Sequence, residues 1–283
     1  MQFRFRSLVQ FRLATLLIAI TLVGVWLGVW TDRANRQKRA LAAIAAARGE
    51  VHFAHEFDAA DHGIPDAQPP GPKWLRQMIG DDYLQRVAVV YLADTEYYGD
   101  LKAFGLSQIN NEVLRSFESL PDVEVIQLMH TRAITDAGLS HLRSLKKLQA
   151  LYLHDCHVTG TGCAQLAALP NLKVLDLSRN PLTPAGLKEL RGMTQVVHLT
   201  LEDTPVADDD LAALQQLANL SQLDLAGTRV TDAGLVHLEK LTGLRHLSLP
   251  DSVTPRAGLR LRQSLPQCQM FWRPEDPHRA RSG

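Results

Sequence analysis

From Val87 onward, apolar residues recur with a long period that a single helix or strand does not produce. Five successive blocks of equal length align, starting at Leu148, Leu172, Val196, Leu220 and Leu244. In each block apolar residues stand at relative positions 1, 4 and 6, as Leu172, Leu175 and Leu177 do in the second. The last two alternate with a polar residue, the period of a strand with one buried face. Relative position 9 carries a small polar residue: Thr131, Cys156, Asn180, Thr204, Thr228 or Ser252. Such a column can satisfy backbone groups at a buried turn. A V-T-D-A-G-L segment or a variant follows. Its Thr135, Thr183 and Thr231 are placed as helix N-caps, and Pro184 falls where a first helical residue tolerates proline. Leu187 and Leu190, or Leu235, Leu238 and Leu241, continue at helical spacing. Each block therefore predicts a short parallel strand, a turn, a short helix and a return. One block cannot bury its apolar face alone, whereas stacked blocks share a continuous core.

The period extends upstream. Val123, Ile126 and Leu128 head a slightly longer unit, with an extra position before Ile134. Val87, Val90 and Leu92 head a much longer one, 87–122, because DTEYYGDLKAFGLSQ is inserted before a helix read as Asn110 to Leu120. Solenoids place such insertions in loops, here read as a tolerated surface excursion that could carry binding. Seven units then fill 87–267. The last departs from the pattern, with Pro255 in the N-cap slot and Arg262 where a buried leucine is expected. That suits a terminal unit with a solvated side. In the remaining segment, 268–283, Cys268, Phe271 and Trp272 are expected to cover the last layer, with disorder after Arg273. The motif L-x-x-L-x-L-x-x-[N/C/T], repeated in phase over about two-thirds of the chain, resembles the leucine-rich-repeat family in its ribonuclease-inhibitor-like form. The resemblance implies an α/β leucine-rich-repeat solenoid, a horseshoe with parallel strands on the concave side and short helices on the convex side.

The front of the chain has a different pattern. Leu13 to Trp30 is an uninterrupted apolar run without a charge. As a helix it spans about 27 Å, near the hydrocarbon thickness of a bilayer. Arg4, Arg6 and Arg12 lie in the basic segment 1–12 before it, and Trp26 and Trp30 mark its far end. A signal peptide is the rival reading. The run is long for one, however, and ends in TDRANRQKR with no small-residue cleavage site, which favours an uncleaved single-pass anchor. Basic residues on both sides leave the orientation undecided by charge. Residues 31–49 read as an alanine-rich juxtamembrane helix ending near Gly49. Residues 50–86 read as an N-terminal cap. It holds a strand from the alternating Val51, Phe53, His55 and Phe57, a proline-rich linker, and a helix with Trp74, Leu75 and Met78 on its apolar side. A fragment starting near Glu50 is accordingly expected to be soluble. The layout resembles bacterial membrane-anchored leucine-rich-repeat proteins. That likeness implies a signal-anchor with the repeats outside the cytoplasm, and it brings no agreed biochemical activity.

Composition narrows the chemistry. Thirty basic residues balance thirty acidic ones, which argues against a nucleic-acid partner. Cys156 falls in the turn column, and Cys163 and Cys268 in leucine slots, so structural thiols are expected rather than disulfides or a metal site. There is no phosphate loop, H-E-x-x-H, C-x-x-C or G-x-S-x-G. No enzyme, cofactor or small-molecule substrate is indicated.

The alternation still places a surface, with relative positions 3, 5, 7 and 8 expected to face away from the core. Early units there present Val89, Tyr91, Val125, Gln127, Met129 and Tyr152, an apolar and aromatic zone. Later units present His154, Asp176, His198, Thr200, Glu202, Asp224 and His246, a zone of imidazoles and acids. Aromatic residues and methionine are enriched at protein interfaces, so the first zone suits a protein partner. The second suits a cation or a basic peptide, with solvated surface as the plainer alternative. The expected function is a membrane-anchored protein-interaction scaffold. An envelope or carbohydrate-binding protein, with tyrosines stacking on sugars, is the alternative, and a metal-dependent enzyme on the imidazole and acid zone is a distant third.

Overall fold

A computed structural model of the chain describes residues 2–56, 67–79, 85–93 and 109–272. The insertion at 94–108, Phe57 and the tail beyond Trp272 lie outside the described residues. One sheet of nine strands runs through the molecule in chain order. The strands are β1 (Glu50–Phe53), β2 (Val87–Ala93), β3 (Val125–Met129), β4 (Ala150–His154), β5 (Val174–Asp176), β6 (His198–Thr200), β7 (Gln222–Asp224), β8 (His246–Ser248) and β9 (Gln269–Phe271). From β2 to β9 every pairing is parallel, and through β8 the units stay in phase, so Leu151, Leu175, Leu199, Leu223 and Leu247 stack in one line. These leucines and the helical ones form a single buried core.

The return segments are short. Those with α-helical turns are α3 (Asn111–Ser116), α4 (Asp136–Leu139), α5 (Pro184–Glu189) and α6 (Pro255–Ser264), while α2 is Lys73–Ile79 and α1, at the front, is Gln2–Ala46. Thr161–Ala168, Asp208–Gln216 and Gly234–His237 are 3-10 helices, where helices were expected without that distinction. The tighter i to i+3 closure, as in Leu169 N–H to the Leu166 carbonyl at 3.0 Å, suits a return of only two or three turns.

Neighbouring units are tied by a ladder built from the T-D-A-G-L motif. The Asp136 carboxylate accepts from Thr159 N–H (2.8 Å), the Thr159 hydroxyl (2.8 Å) and Gly162 N–H (2.7 Å). Asp208 takes the N–H and hydroxyl of Thr231, and Asp232 takes those of Thr254, each at 2.7–2.8 Å. Asn111 holds Thr135 from the corresponding place, its Oδ1 accepting from Thr135 N–H (3.1 Å) and its Nδ2 donating to the Thr135 hydroxyl (2.8 Å). Thr135 therefore makes no side-chain cap bond of its own, while Thr183 does, to Gly186 N–H at 3.1 Å. In the last unit Thr254 is the N-cap and Pro255 follows it, so proline does not displace the cap as the sequence suggested. Arg262 is exposed, and Leu261 fills the layer instead. Gly186 allows the close approach that the ladder needs. A Cβ there would fall on the Thr159 carbonyl and Gly160 of the preceding unit.

The position-9 column is buried as expected through Thr228, and Ser252 is exposed. Asn180 donates to the carbonyls of Leu153, Leu177 and Ser178 and accepts from Val158 N–H. Thr204 and Thr228 donate to Leu201 and Leu225 at 2.6 Å. All three cysteines are buried and unpaired with one another.

At the front, α1 is one unbroken helix of 45 residues. It is long and apolar enough to cross a membrane, and the side chains from Leu16 to Val29 stand exposed. Its last turns do something else. Ala40, Ile44 and Ala47 are buried in the solenoid core beside Leu114 and Phe117, with Ile44 at 0% exposure. Arg48 N–H bonds to the Ala45 carbonyl and Gly49 N–H to the Ile44 carbonyl, both at 2.9 Å, with Arg48 at φ 57°. This is a Schellman ending whose left-handed residue is an arginine. The chain then reverses into β1, which pairs antiparallel with β2 and closes that sheet edge. His55 is in a 3-10 turn, not in the strand; Phe53 N–H bonds to the Glu56 carboxylate (3.0 Å), and the last cross-strand bond is Ala54 N–H to the Arg86 carbonyl (2.8 Å). Trp74 in α2 is 64% exposed, so it does not cover the first repeat as expected.

Candidate functional site

The concave face is built from two registers of the sheet. One column runs His52, Val89, Val125, Ala150, Val174, His198, Gln222, His246, Gln269. The other runs Glu50, Tyr91, Gln127, Tyr152, Asp176, Thr200, Asp224, Ser248, Phe271. Met129 and His154 pair in a third. Adjacent strands are about 4.8 Å apart, so Tyr91 and Tyr152 flank Gln127 with roughly 10 Å between their backbones.

From Val89 through Val174 the first column is apolar, and from His198 it is polar, so the two zones expected from the sequence adjoin on one surface. Tyr91, Val125, Gln127, Met129 and Tyr152 are half-buried, while Val89 and Ala150 are buried between their neighbours. Gln127 Nε2 lies 3.0 Å from Met129 Sδ, and His52 meets Tyr91 edge-on at 5.5 Å. Burial pushes the Tyr152 hydroxyl above its ordinary pKa, and the Asp176 carboxylate on the next strand and Tyr91 push the same way. The neutral hydroxyl remains a donor in a largely apolar setting, the arrangement that makes tyrosine an anchor at interfaces.

The second zone is less open than its composition suggests. Asp176 accepts from Ser178 N–H (2.8 Å) and from the Ser178 hydroxyl, and Asp224 accepts from Ala226 N–H (2.9 Å). One oxygen of each carboxylate thus closes a turn at its strand end. His154, His198, Thr200, Glu202 and Asp224 are half-buried and His246 is exposed, spread from β4 to β8. Among the described residues no three His, Cys, Asp or Glu side chains converge to hold a metal ion.

Three features of this face were not read from the sequence, the first being the backbone conformation and pairing at relative position 8. Relative position 8 is left-handed in five successive units, at His130, Asp155, Arg179, Asp203 and Gly227, with φ between 49° and 67°. Gly227 serves where a Cβ would also strike Asp203. The others alternate in charge across the sheet. His130 Nδ1 lies 2.9 Å from Asp155, Arg132 Nε is 3.7 Å from it, and Arg179 Nε is 3.2 Å from Asp203. His130 also packs edge-on against His154 at 5.3 Å. The signal was a charge alternation at the repeat period. Secondly, β1 adds Glu50 and His52 to the concave edge, signalled by polar residues alternating with Val51 and Phe53. Thirdly, Phe271 faces the concave side at 58% exposure, while Met270 is buried at 8%. His246 pairs with Gln269, where a full repeat period would bring it to Met270, so β9 is out of phase by a single position and its faces exchange. The expected cover of Cys268, Phe271 and Trp272 is in fact Cys268, Met270 and Trp272.

Comparison with known proteins places the repeats. Leucine rich repeat models match residues 146–206 and 216–238. No curated protein matches the sequence. Among solved structures, an internalin from Listeria monocytogenes aligns at 19% identity and a TM-score of 0.46, over 56% of this chain and 44% of that one. Internalin C2 from the same organism aligns at 26% identity and a TM-score of 0.39, over 50% of this chain and 55% of its own. The chain thus spans about half the length of either structure it matches. Both family matches lie within the periodic array, and the strands they cover stack in one parallel sheet, so the chain carries leucine-rich repeats in a leucine-rich-repeat fold.

Proposed function

We propose that the protein is a single-pass membrane-anchored scaffold, its repeats outside the cytoplasm, that binds a protein partner through the concave face. One observation carries the reading: Tyr91, Val125, Met129 and Tyr152 form a half-exposed apolar patch on a rigid sheet, beside a polar zone rather than isolated. Rigid aromatic groups in such a setting contribute most of the affinity at protein interfaces, and the polar neighbours supply register. The exposed apolar stretch of α1 supports the anchor, because water solvates such side chains poorly and a bilayer covers them. The test uses the full chain in detergent as bait, with cross-linking and mass identification of what it holds. Tyr91→Ala and Tyr152→Ala are expected to weaken a genuine partner roughly tenfold or more, while an exposed convex change such as Arg191→Gln leaves it bound. Equal capture by all three variants would remove the concave face from the proposal. A reporter at Gly283 reads the orientation, and resistance to carbonate extraction reads the anchor. The alternative of sugar stacking on Tyr91 and Tyr152 predicts binding on a glycan array that the same two substitutions abolish.

A further inference from the structure

Four basic residues follow the apolar segment of α1, and the fold uses them differently. Arg33 is committed to the repeats. Its guanidinium lies 2.6 Å from Asp122, which Lys147 also reaches at 2.6 Å. Next to it Gln37 is buried and donates to the Gln85 carbonyl at 3.1 Å. These contacts hold that face of α1 against the solenoid. Arg36 and Arg39 flank the contact and line a pocket of about 300 Å³ together with Ala40, Ser116 and Ser119. The two serines come from the end of α3 and the 3-10 turn after it, so the pocket is shared between helix and repeats.

Among the described residues the lining holds two guanidinium groups and no carboxylate. Arg36 pairs with Asp32 at 2.7 Å, but both side chains are more than half exposed, where such pairs exchange readily with other anions. Arg39 places Nε on the Asn35 carbonyl at 3.3 Å, and its terminal nitrogens have no acceptor among the described residues. Ser116 donates its hydroxyl to the Val113 carbonyl, which leaves Ser119 as the hydroxyl donor of the pocket. Two forked guanidiniums beside a small cavity match a tetrahedral oxyanion, which accepts paired hydrogen bonds from each. Position strengthens the match. Arg36 lies beyond Trp30 by about 9 Å along the helix axis, and helical side chains lean toward the N-terminus, here toward the apolar segment. A headgroup layer extends roughly 5–8 Å beyond the hydrocarbon.

We propose that this pocket binds a phosphate group between Arg36 and Arg39. If α1 spans a bilayer, as proposed above, the phosphate is that of a lipid headgroup, and the lipid would then hold the solenoid at a fixed height and tilt. If it does not, the source is free phosphate. The full chain in detergent is incubated with phosphatidylglycerol, with diacylglycerol of the same acyl chains, or with inorganic phosphate. Lipid retention is read by native mass spectrometry and phosphate binding by calorimetry. Retention of phosphatidylglycerol but not diacylglycerol, lowered at least tenfold by Arg36→Gln/Arg39→Gln and unchanged by Arg191→Gln, establishes the lipid site. Binding of inorganic phosphate alone, lost in the same double variant, establishes the phosphate site with a soluble source. Absence of both, or equal binding by the double variant with its circular dichroism intact, overturns the proposal. Carbonate extraction of the unmodified chain scores the membrane span separately.

Discussion

The aspartates of the T-D-A-G-L motif show what a single residue does in this fold. The sequence made the threonine legible as an N-cap, but not the carboxylate, because its partner lies in the next unit, as Thr159 does for Asp136. Burial pushes the Asp136 pKa up, but hydrogen bonds from Gly162, Thr159 N–H and the Thr159 hydroxyl outweigh it and hold the group below its ordinary value. A carboxyl depressed in the folded state adds stability above its unfolded pKa and loses it as pH falls through the folded one. Asp136→Asn is therefore expected to melt lower than the unmodified protein at pH 7, by about 1.5 kcal/mol or some 3–5 °C, the group being only half-buried. The gap should begin to close below about pH 4, where the unfolded-state carboxyl takes up its proton while the folded one is still ionised, and vanish only below the folded pKa. Melting curves from pH 7 to pH 3 check this, and a gap that stayed constant would mean that the carboxylate charge contributes nothing. The cysteines were legible as core residues from their slots alone. Burial pushes Cys163 up to about 12 and Cys156 up to about 11, and raises Cys268 as well. At pH 8 the Cys163 thiolate is then on the order of one part in ten thousand. Iodoacetamide should leave Cys156 and Cys163 unlabelled in the native chain and label them in denaturant, as mass spectrometry would show. Rapid native labelling of Cys163 would contradict its place in the core.

At the scale of elements, the repeat period made seven strands and their faces legible, since a period of two within a longer fixed period leaves each side chain one possible side. The two strands whose pairing or register escaped lie at the ends of the sheet. β1 pairs antiparallel, and its partner is set by the reversal after Arg48, which no apolar pattern encodes. β9 kept the pattern of a further unit but lost a single position before the strand, and that slip exchanges its faces. The two readings of β9 predict opposite mutational outcomes. Met270→Asp buries a charge against the last layer and should cost about 3 kcal/mol, whereas Phe271→Asp on the concave side should cost less than about 0.5 kcal/mol. Chemical denaturation of both variants decides it, and the reverse order would restore the unshifted register. The concave zones were legible for the same reason as the strands. The ladder at relative position 8 was not, because its pairs form between units and depend on a left-handed backbone, although basic and acidic residues alternate there at the repeat period.

At the scale of the whole molecule, the chief difference between sequence and structure is where the solenoid begins. An apolar run followed by an alanine-rich stretch reads as an anchor and a juxtamembrane helix, and a fragment from near Glu50 then reads as soluble. In the fold, one helix carries both the apolar run and a cover for the first repeats. Its first part exposes apolar side chains, and its last turns place Ala40, Ile44 and Ala47 over Leu114 and Phe117. A solenoid end needs such a cover, because its terminal layer has no neighbouring unit to bury it. Removing residues 1–49 would bare Phe117, which has 0% exposure in the intact chain, together with the side of Leu92 that packs near Ile44. It would also release Asp122 from Arg33 and Gln85 from Gln37. Alanine was the misleading signal, since it is both the best helix former and small enough to pack closely against a neighbouring helix. A fragment starting at Asp32 keeps the cover and omits the apolar run, so it should be monomeric and fold cooperatively. One starting at Glu50 should aggregate or melt at least about 5 °C lower, about 2 kcal/mol or more for the loss of a fully buried isoleucine and its neighbours. Size-exclusion chromatography and thermal melts of the two fragments compare them directly. Equal stability would show that β1 alone closes the solenoid and that the helix is only a tether.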